Sequence, residues 1–415
     1  MRKINLFLII IGFSFSVFNA VAASSLQPKE YVDWLNVLKK EMIERGISEQ
    51  TVQQAFAKDY YHPRHQVVQK DRSQTEFVLK TSNYLKRVVS PLRIKQGQKH
   101  YQQLKKQYPH GLLNVPLHYL VAFWGIETNF GMHKGGYPAI EALTVLSYDK
   151  RRARFFREEL YNALKILDEK HISLDKMESS WAGAMGHFQF MPSTFNHYGK
   201  DADNDGQKDI WHNFNDAVLS AANYLTSIGW KKDEPWGMPV ELSWNFDYSQ
   251  TGRHRQKSVK EWKKLGVVIE NAKDEWQGAV IVPEGHRGQA YLILSNFHII
   301  MQWNKSENYA LAVGLLADCI KQGKKALIIK QANNYTLTRD DVKKIQHFAN
   351  RQKLAHVDED GALGSKTKEA IQKVQQKFKL PPDGYPDYRL LQDIKNFPQN
   401  GYHPPVPTEK LHSIK

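Results

Sequence analysis

The chain comprises 415 residues, 41% of them hydrophobic, with 58 Lys and Arg against 43 Asp and Glu and a formal net charge of +15. Its one cysteine, Cys319, excludes an internal disulfide, so stability must come from apolar burial, and the length suffices for two domains or more. The basic residues are spread along the chain, a distribution that attracts polyanions in general without choosing one.

The chain opens with Met1-Arg2-Lys3, an apolar run from Ile4 to about Val21, and a small-residue end, Ala20-Val21-Ala22. These are the three parts of a secretory signal peptide over residues 1–22, with cleavage expected after Ala22. The strictly apolar core, Leu6 to Gly12, is shorter than the roughly 20 residues a spanning helix needs. With no cysteine near the cleavage site to carry a lipid, the expected product is exported to the periplasm with no stable membrane anchor. Export argues against nucleic acid as the partner. It leaves envelope polymers, the cell wall and phospholipid head groups among them.

From Pro28 to about Ala57, Tyr31, Trp34, Leu35, Leu38 and Met42 follow a helical period, and a second helix starts at Ser48 beyond Gly46. Helical patterns continue over Tyr84–Gln107, Pro116–Phe130, Arg152–Glu169 and Asp216–Ile228. Between about 238 and 294 the pattern changes to short apolar or alternating runs, Val240–Trp244, Leu265–Ile269, Ala279–Val282 and Ala290–Leu294, which predict a small β-rich insertion. Helical spacing resumes at Tyr309, where Cys319 reads as buried filler rather than a catalytic thiol. Gln322 to Tyr335 reads as a linker. Residues 336–400 then form a unit of two Asp-Gly turns, at Asp360-Gly361 and Asp383-Gly384, and three short helices, the first capped by Thr338. The tail, 401–415, is rich in Pro, Lys and His and is expected to be disordered.

One carboxylate stands in an apolar and aromatic helical run, Val121-Ala-Phe-Trp124-Gly-Ile-Glu127-Thr-Asn-Phe-Gly131, with Gly131 placed to end the helix. Partial desolvation by Trp124, Ile126 and Phe130 raises the pKa of such a group and suits it to donate a proton near neutral pH. The plain alternative is a solvated Glu or a structural ion pair. A second stretch, Ser179-Ser180-Trp-Ala-Gly183-Ala-Met-Gly186-His-Phe-Gln189-Phe-Met-Pro192, offers Ser180 and Gln189 as hydrogen-bonding groups for a hydroxyl-rich ligand. Trp181, Phe188 and Phe190 suit the faces of sugars. Gly183, Ala184 and Gly186 let the backbone approach a ligand or another helix closely.

Together these stretches resemble the lytic murein transglycosylases of the B type. The resemblance spans about Tyr31 to Cys319, with Ser147-Tyr-Asp-Lys-Arg151-Arg152, an acidic loop, Ala222-Asn-Tyr224 and Asn296-Phe-His298 in the family's order. It implies a mainly α fold: a lysozyme-like helical catalytic core over residues 23–325, carrying the β-rich insertion and followed by the three-helix domain. It also implies cleavage of the MurNAc–GlcNAc bond of peptidoglycan glycan strands without water and without a catalytic cofactor. Glu127 would act twice, first as acid and then as base, closing a 1,6-anhydro ring. Ser180, Gln189, Tyr224 and Asn296 would position saccharide atoms, and Arg151 and Arg152 would meet lactyl-peptide carboxylates, although a structural role for the two arginines stays open. Hydrolysing glycosidases normally need two carboxylates, and the catalytic segment supplies one.

The acidic loop, Asp201-Ala-Asp203-Asn-Asp205-Gly206-Gln207-Lys-Asp209-Ile-Trp211-His212, fits the first half of an EF-hand loop. Asp201, Asp203, Asp205, the Gln207 carbonyl and Asp209 are the candidate ligands of a structural calcium ion. His212 stands where a bidentate Glu is usual, and the resemblance points to Asp216 as the later acid that completes the loop. A solvated acidic loop is the plain alternative. The C-terminal unit resembles the three-helix peptidoglycan-binding domain fused to wall hydrolases, which implies wall tethering. A lysozyme-like hydrolase and a non-catalytic wall-binding protein are the rival readings.

Overall fold

The structure is a computed structural model that describes residues 29–57, 80–150, 152–327, 330, 332 and 337–397. The expected signal peptide, Arg151, most of the second half of the linker and the tail lie outside the described residues. The chain divides into two units after Gly46. The first is carried by α1 (Lys29–Glu44), whose buried residues Tyr31, Leu35, Leu38 and Met42 fall on one stripe at helical spacing.

The second unit begins with α2 (Glu49–Ala55), capped by the Ser48 hydroxyl, which accepts from the Thr51 N–H. The Tyr84–Gln107 pattern resolves into two helices, α3 (Thr81–Val88) and α4 (Pro91–Gln107). Pro91 has no N–H to continue α3, but it fits the first turn of α4, where Ser90 caps the Arg93 N–H. Next comes α5 (Leu117–Thr128), in which every residue from Leu117 to Gly125 is buried. A helix apolar on all sides belongs in the middle of a core. It packs between α4 and α12 (Glu307–Gln322).

A short pair, β1 (Tyr137–Pro138) with β2 (Glu178–Ser179), brackets α6 (Ala139–Tyr148) and α7 (Ala153–Asp168). The α8 (Pro192–Tyr198) and α9 (Phe214–Ser227) helices flank the acidic loop. The insertion is an antiparallel sheet of order β4-β6-β7-β3-β5, formed by β3 (Gly237–Leu242), β4 (Lys257–Ser258), β5 (Val267–Val268), β6 (Gln277–Ile281) and β7 (Ala290–Ile293). A capped helix, α10 (Val259–Lys264), joins β4 to β5, so Leu265 ends a helix rather than starting a strand.

The register Val280↔Leu292 and Ile281↔Tyr291 sorts the two faces. Val240, Val280 and Leu292 face a cluster with Trp262 and Phe246, while Tyr291 faces Trp236, 6.1 Å away. The Trp236 indole in turn donates to Asp318 of α12 at 2.9 Å, fixing the sheet to the helical core. Gly314 on α12 permits this: a Cβ there would meet the Trp236 ring at 2.2 Å. The sheet is followed by α11 (Ser295–Trp303), which runs into α12.

The C-terminal helices are α13 (Arg339–Arg351), α14 (Ser365–Lys377) and α15 (Tyr388–Lys395), with Ile345, Phe348, Ile371, Val374 and Leu390 in their core. Thr338 caps α13 through a reciprocal capping box with Asp341. The two Asp-Gly turns are built alike. Gln346 accepts from the Gly361 N–H and donates to Asp360, and Gln375 does the same with Gly384 and Asp383. Asp383 also accepts from the backbone and ring of His286, and the Gln372 amide donates to the Tyr248 and Thr251 carbonyls. The three-helix domain therefore packs on the insertion.

Candidate active site

Glu127 sits in the last turn of α5. The helix stops at Thr128 because Asn129 takes the left-handed conformation, φ 51°, and Phe130 and Gly131 continue there; the stop comes two residues before the glycine. The turn is stitched to the Gly183–Pro192 block: the Thr128 hydroxyl donates to the His187 carbonyl at 2.8 Å, and the Trp124 indole donates to His187 Nδ1 at 3.0 Å. Burial, then Lys134, pushes the His187 pKa down to about 4, so the ring is neutral and its Nδ1 accepts.

Two donors reach Glu127 from distant parts of the chain. The Tyr309 hydroxyl, in the first turn of α12, donates to its carboxylate, and Trp303, at the end of α11, is its second side-chain partner. Burial raises the Glu127 pKa to about 7, and these two bonds pull against it without overcoming it. The groups that set its charge are thus burial, a phenol and an indole; no second carboxylate acts on it among the described residues. Tyr309 is held as a neutral donor, since burial and then the Glu127 charge raise its own pKa well above the ordinary value.

Trp303 also gathers the aromatic wall. Its ring lies 4.6 Å from Phe123, 5.1 Å from Tyr224, 5.3 Å from Phe190 and 6.4 Å from Phe188. Glu127, Tyr224 and the Gly183–Pro192 block therefore meet at one side chain. Neither Trp303 nor Tyr309 stood out in the sequence, where Tyr309 read only as the start of a core helix. The partners of Glu127 lie well over a hundred residues away, beyond any local pattern.

The other sequence candidates fall out unevenly. Ser180 accepts from the Ala184 N–H at 3.2 Å and has no acceptor for its own proton among the described residues. Gln189, at φ 52°, donates its amide to the Lys134 and Gly186 carbonyls, leaving its Oε1 as the acceptor. Gly183 and Gly186 serve internal packing: added Cβ atoms would meet Leu143 and the Ile210 carbonyl at 2.4 Å each.

Asn296 corrects the expectation. It is fully buried, its Oδ1 accepts from the Lys231 N–H, and its amide donates to the Lys231 and Glu234 carbonyls, so nothing is left for a saccharide. Arg152 is exposed and stacks over Phe155 and Phe156, at 4.7 and 4.9 Å, with no contact to this site among the described residues.

In the acidic loop, one oxygen each of Asp201, Asp203 and Asp205 lie within 4.8 Å of one another. The Asn204 and Gly206 N–H groups donate to Asp201, and Gly206, at φ 89°, makes the sharp turn. Asp209 and Asp216 lie outside that cluster. Asp209 accepts from the Trp211 and His212 N–H groups. Asp216, fully buried, accepts from the Ala202 and Asp209 N–H groups at 2.8 Å each and so ties the two ends of the loop together. An all-oxygen cluster on such a turn fits a hard cation such as calcium.

With this geometry in place, likeness to known proteins becomes decisive. Residues 30–318 match the transglycosylase SLT domain, which is more than half of the chain. The chain belongs to the SLT transglycosylase family. Residues 338–393 of this SLT-family protein match a peptidoglycan binding domain. Membrane-bound lytic murein transglycosylase B of Escherichia coli is 28% identical over 242 residues, 57% of this chain and 66% of that protein, just under two thirds of its length. The structure of SltB3 from Pseudomonas aeruginosa in complex with NAG-anhNAM-pentapeptide is similar at TM-score 0.83 and 37% identity, covering 89% of this chain and all of that one. A calcium complex of an E. coli lytic transglycosylase shares the fold at TM-score 0.60 and 24% identity, covering 70% of this chain and 93% of that one.

Proposed function

We propose that this SLT-family protein is a lytic transglycosylase that cleaves the MurNAc–GlcNAc β-1,4 bond of peptidoglycan without water and leaves a 1,6-anhydro-MurNAc end. The observation that carries the reading is Glu127, a carboxyl with a pKa of about 7 and no second carboxylate acting on it among the described residues. In its protonated form it gives its proton to the glycosidic oxygen as the C1–O bond breaks. The resulting carboxylate then takes the proton of the C6 hydroxyl as that oxygen bonds to C1. The proton count closes, and no water is consumed.

The environment suits both halves. Burial favours the neutral acid needed first, while Tyr309 and Trp303 donate to the carboxylate that acts second. Tyr224, Phe188 and Phe190 around Trp303 supply ring faces for the sugars. Ser180 and Gln189 keep one polar function each for hydroxyl or acetamido atoms.

Asp201, Asp203, Asp205, the Gln207 carbonyl and Asp209 would hold a structural calcium ion, with Asp216 closing the loop from behind. The C-terminal domain tethers the enzyme to the wall and raises the local concentration of glycan. Export to the periplasm rests on residues 1–22; no helix among the described residues is long and apolar enough to cross a membrane. N-terminal sequencing of the protein from a cell-envelope fraction tests cleavage after Ala22.

The enzymatic reading is tested by release of muropeptides from purified sacculi. Wild type releases them, and Glu127→Gln binds the sacculi without release. Unchanged release by that variant overturns the assignment.

A further inference from the structure

The C-terminal domain meets the catalytic core across a cavity of about 290 Å³ whose wall includes Lys80, Arg253, Lys305, Glu307, Ser365 and Lys368. Four of these side chains are cationic and one is a carboxylate. Glu307 is bracketed by Lys368, at 2.5 Å, and by Arg253, at 3.5 Å, so two cations share one negative charge. Lys80 is buried near Glu284, which offsets it. Lys305 is exposed and makes no ion pair among the described residues. Positive charge in the cavity therefore exceeds what its own residues neutralise.

Two helices connect this cavity to Glu127. Glu307 and Asn308 line it, and the next residue, Tyr309, holds the catalytic carboxyl. Thr81 lines it as well, and Tyr84, one turn further along α3, is near enough to feel the Glu127 charge. By helical rise the cavity wall lies on the order of one turn, ~5 Å, from the residues around Glu127.

We propose that this cavity receives the carboxylate-bearing peptide stem of the muramic acid at the cleaved bond. The inference rests on the peptidoglycan reading above. A stem hangs from the lactyl group beside the scissile linkage and carries several carboxylates, which guanidinium and ammonium groups recognise when water is partly excluded. Of the two arginines expected from the sequence, Arg152 stacks on Phe155 and Phe156 instead, and Arg151 lies outside the described residues. The wall-binding domain thus supplies Ser365 and Lys368 to the substrate site rather than acting only as a tether.

The test uses the full-length Glu127→Gln protein and two short glycans of one length, one bearing pentapeptide stems and one stripped of them. The stem-bearing glycan is expected to bind at least tenfold more tightly. Adding Lys305→Glu and Arg253→Gln brings the two within twofold, by weakening the stem-bearing glycan alone. Lys305→Glu by itself, at an exposed position, removes part of the preference with an unchanged melting temperature, and Lys305→Arg keeps it. Equal binding of the two glycans by the parent protein overturns the proposal, as does a loss that falls equally on both glycans or on neither. Failure of both glycans to bind defeats the peptidoglycan reading itself, which is a different result.

Discussion

The Tyr309 phenol donates a hydrogen bond to the Glu127 carboxylate, joining the first turn of α12 to the last turn of α5. The contact opposes burial, which alone would keep the acid neutral to higher pH. On the proposed mechanism Glu127 starts protonated, so kcat/KM falls as pH rises through about 7. Tyr309→Phe removes a donor that favours the charged form; it moves this limb to higher pH and lowers kcat by roughly 10- to 100-fold. A pH–rate series on both proteins checks the shift, and an unmoved limb contradicts the role.

The same carboxyl costs stability. Its folded pKa, about 7, lies above its ordinary value of 4.5, so the folded state binds the extra proton and stability declines between pH 4.5 and 7. Glu127→Gln removes that penalty and is expected to be more stable than wild type at pH 8, by up to about 3 kcal/mol, and equal to it at pH 4. Urea unfolding at the two pH values measures the difference.

Asn296 gives the opposite pattern. Its amide satisfies one N–H and two carbonyls of the Lys231–Glu234 turn, so Asn296→Ala leaves buried polar groups unpaired and costs about 2–3 kcal/mol. KM of the folded enzyme stays unchanged. A raised KM with unaltered stability restores the saccharide-ligand role that the sequence suggested.

The acidic loop ties stability to cation. Calcium is expected to raise the melting temperature, a chelator to reverse it, and Asp203→Asn to remove most of the dependence, because only the folded state holds the cluster. Turnover well below the melting temperature stays unaltered by chelation. Calorimetry with and without calcium decides the first point, and an unshifted melting temperature denies the site.

Much of this was legible because the signals were local. The apolar character of the Leu117–Thr128 run marks a core helix and the paired Asp-Gly turns mark the C-terminal domain, whereas the break at Pro91 was passed over and Tyr84–Gln107 read as one helical run. Glu127 itself is visible as an acid where apolar residues belong. What escaped was tertiary: Trp303 and Tyr309 reach Glu127 only through the packing of α11 and α12 on α5. Asn296 was misread because a buried amide that clamps a turn and one that binds a sugar look alike in one dimension. Gly183 and Gly186 posed the same problem, and their neighbours Leu143 and Ile210 resolve it.

The central claim, that Glu127 closes a ring on the substrate instead of activating water, is tested most directly by digesting purified sacculi in oxygen-18 water and weighing the products. Ring closure predicts muramic ends lighter by one water than reducing ends and free of label. Muramic ends that carry one oxygen-18 and the mass of an added water would contradict it and make the enzyme a hydrolase.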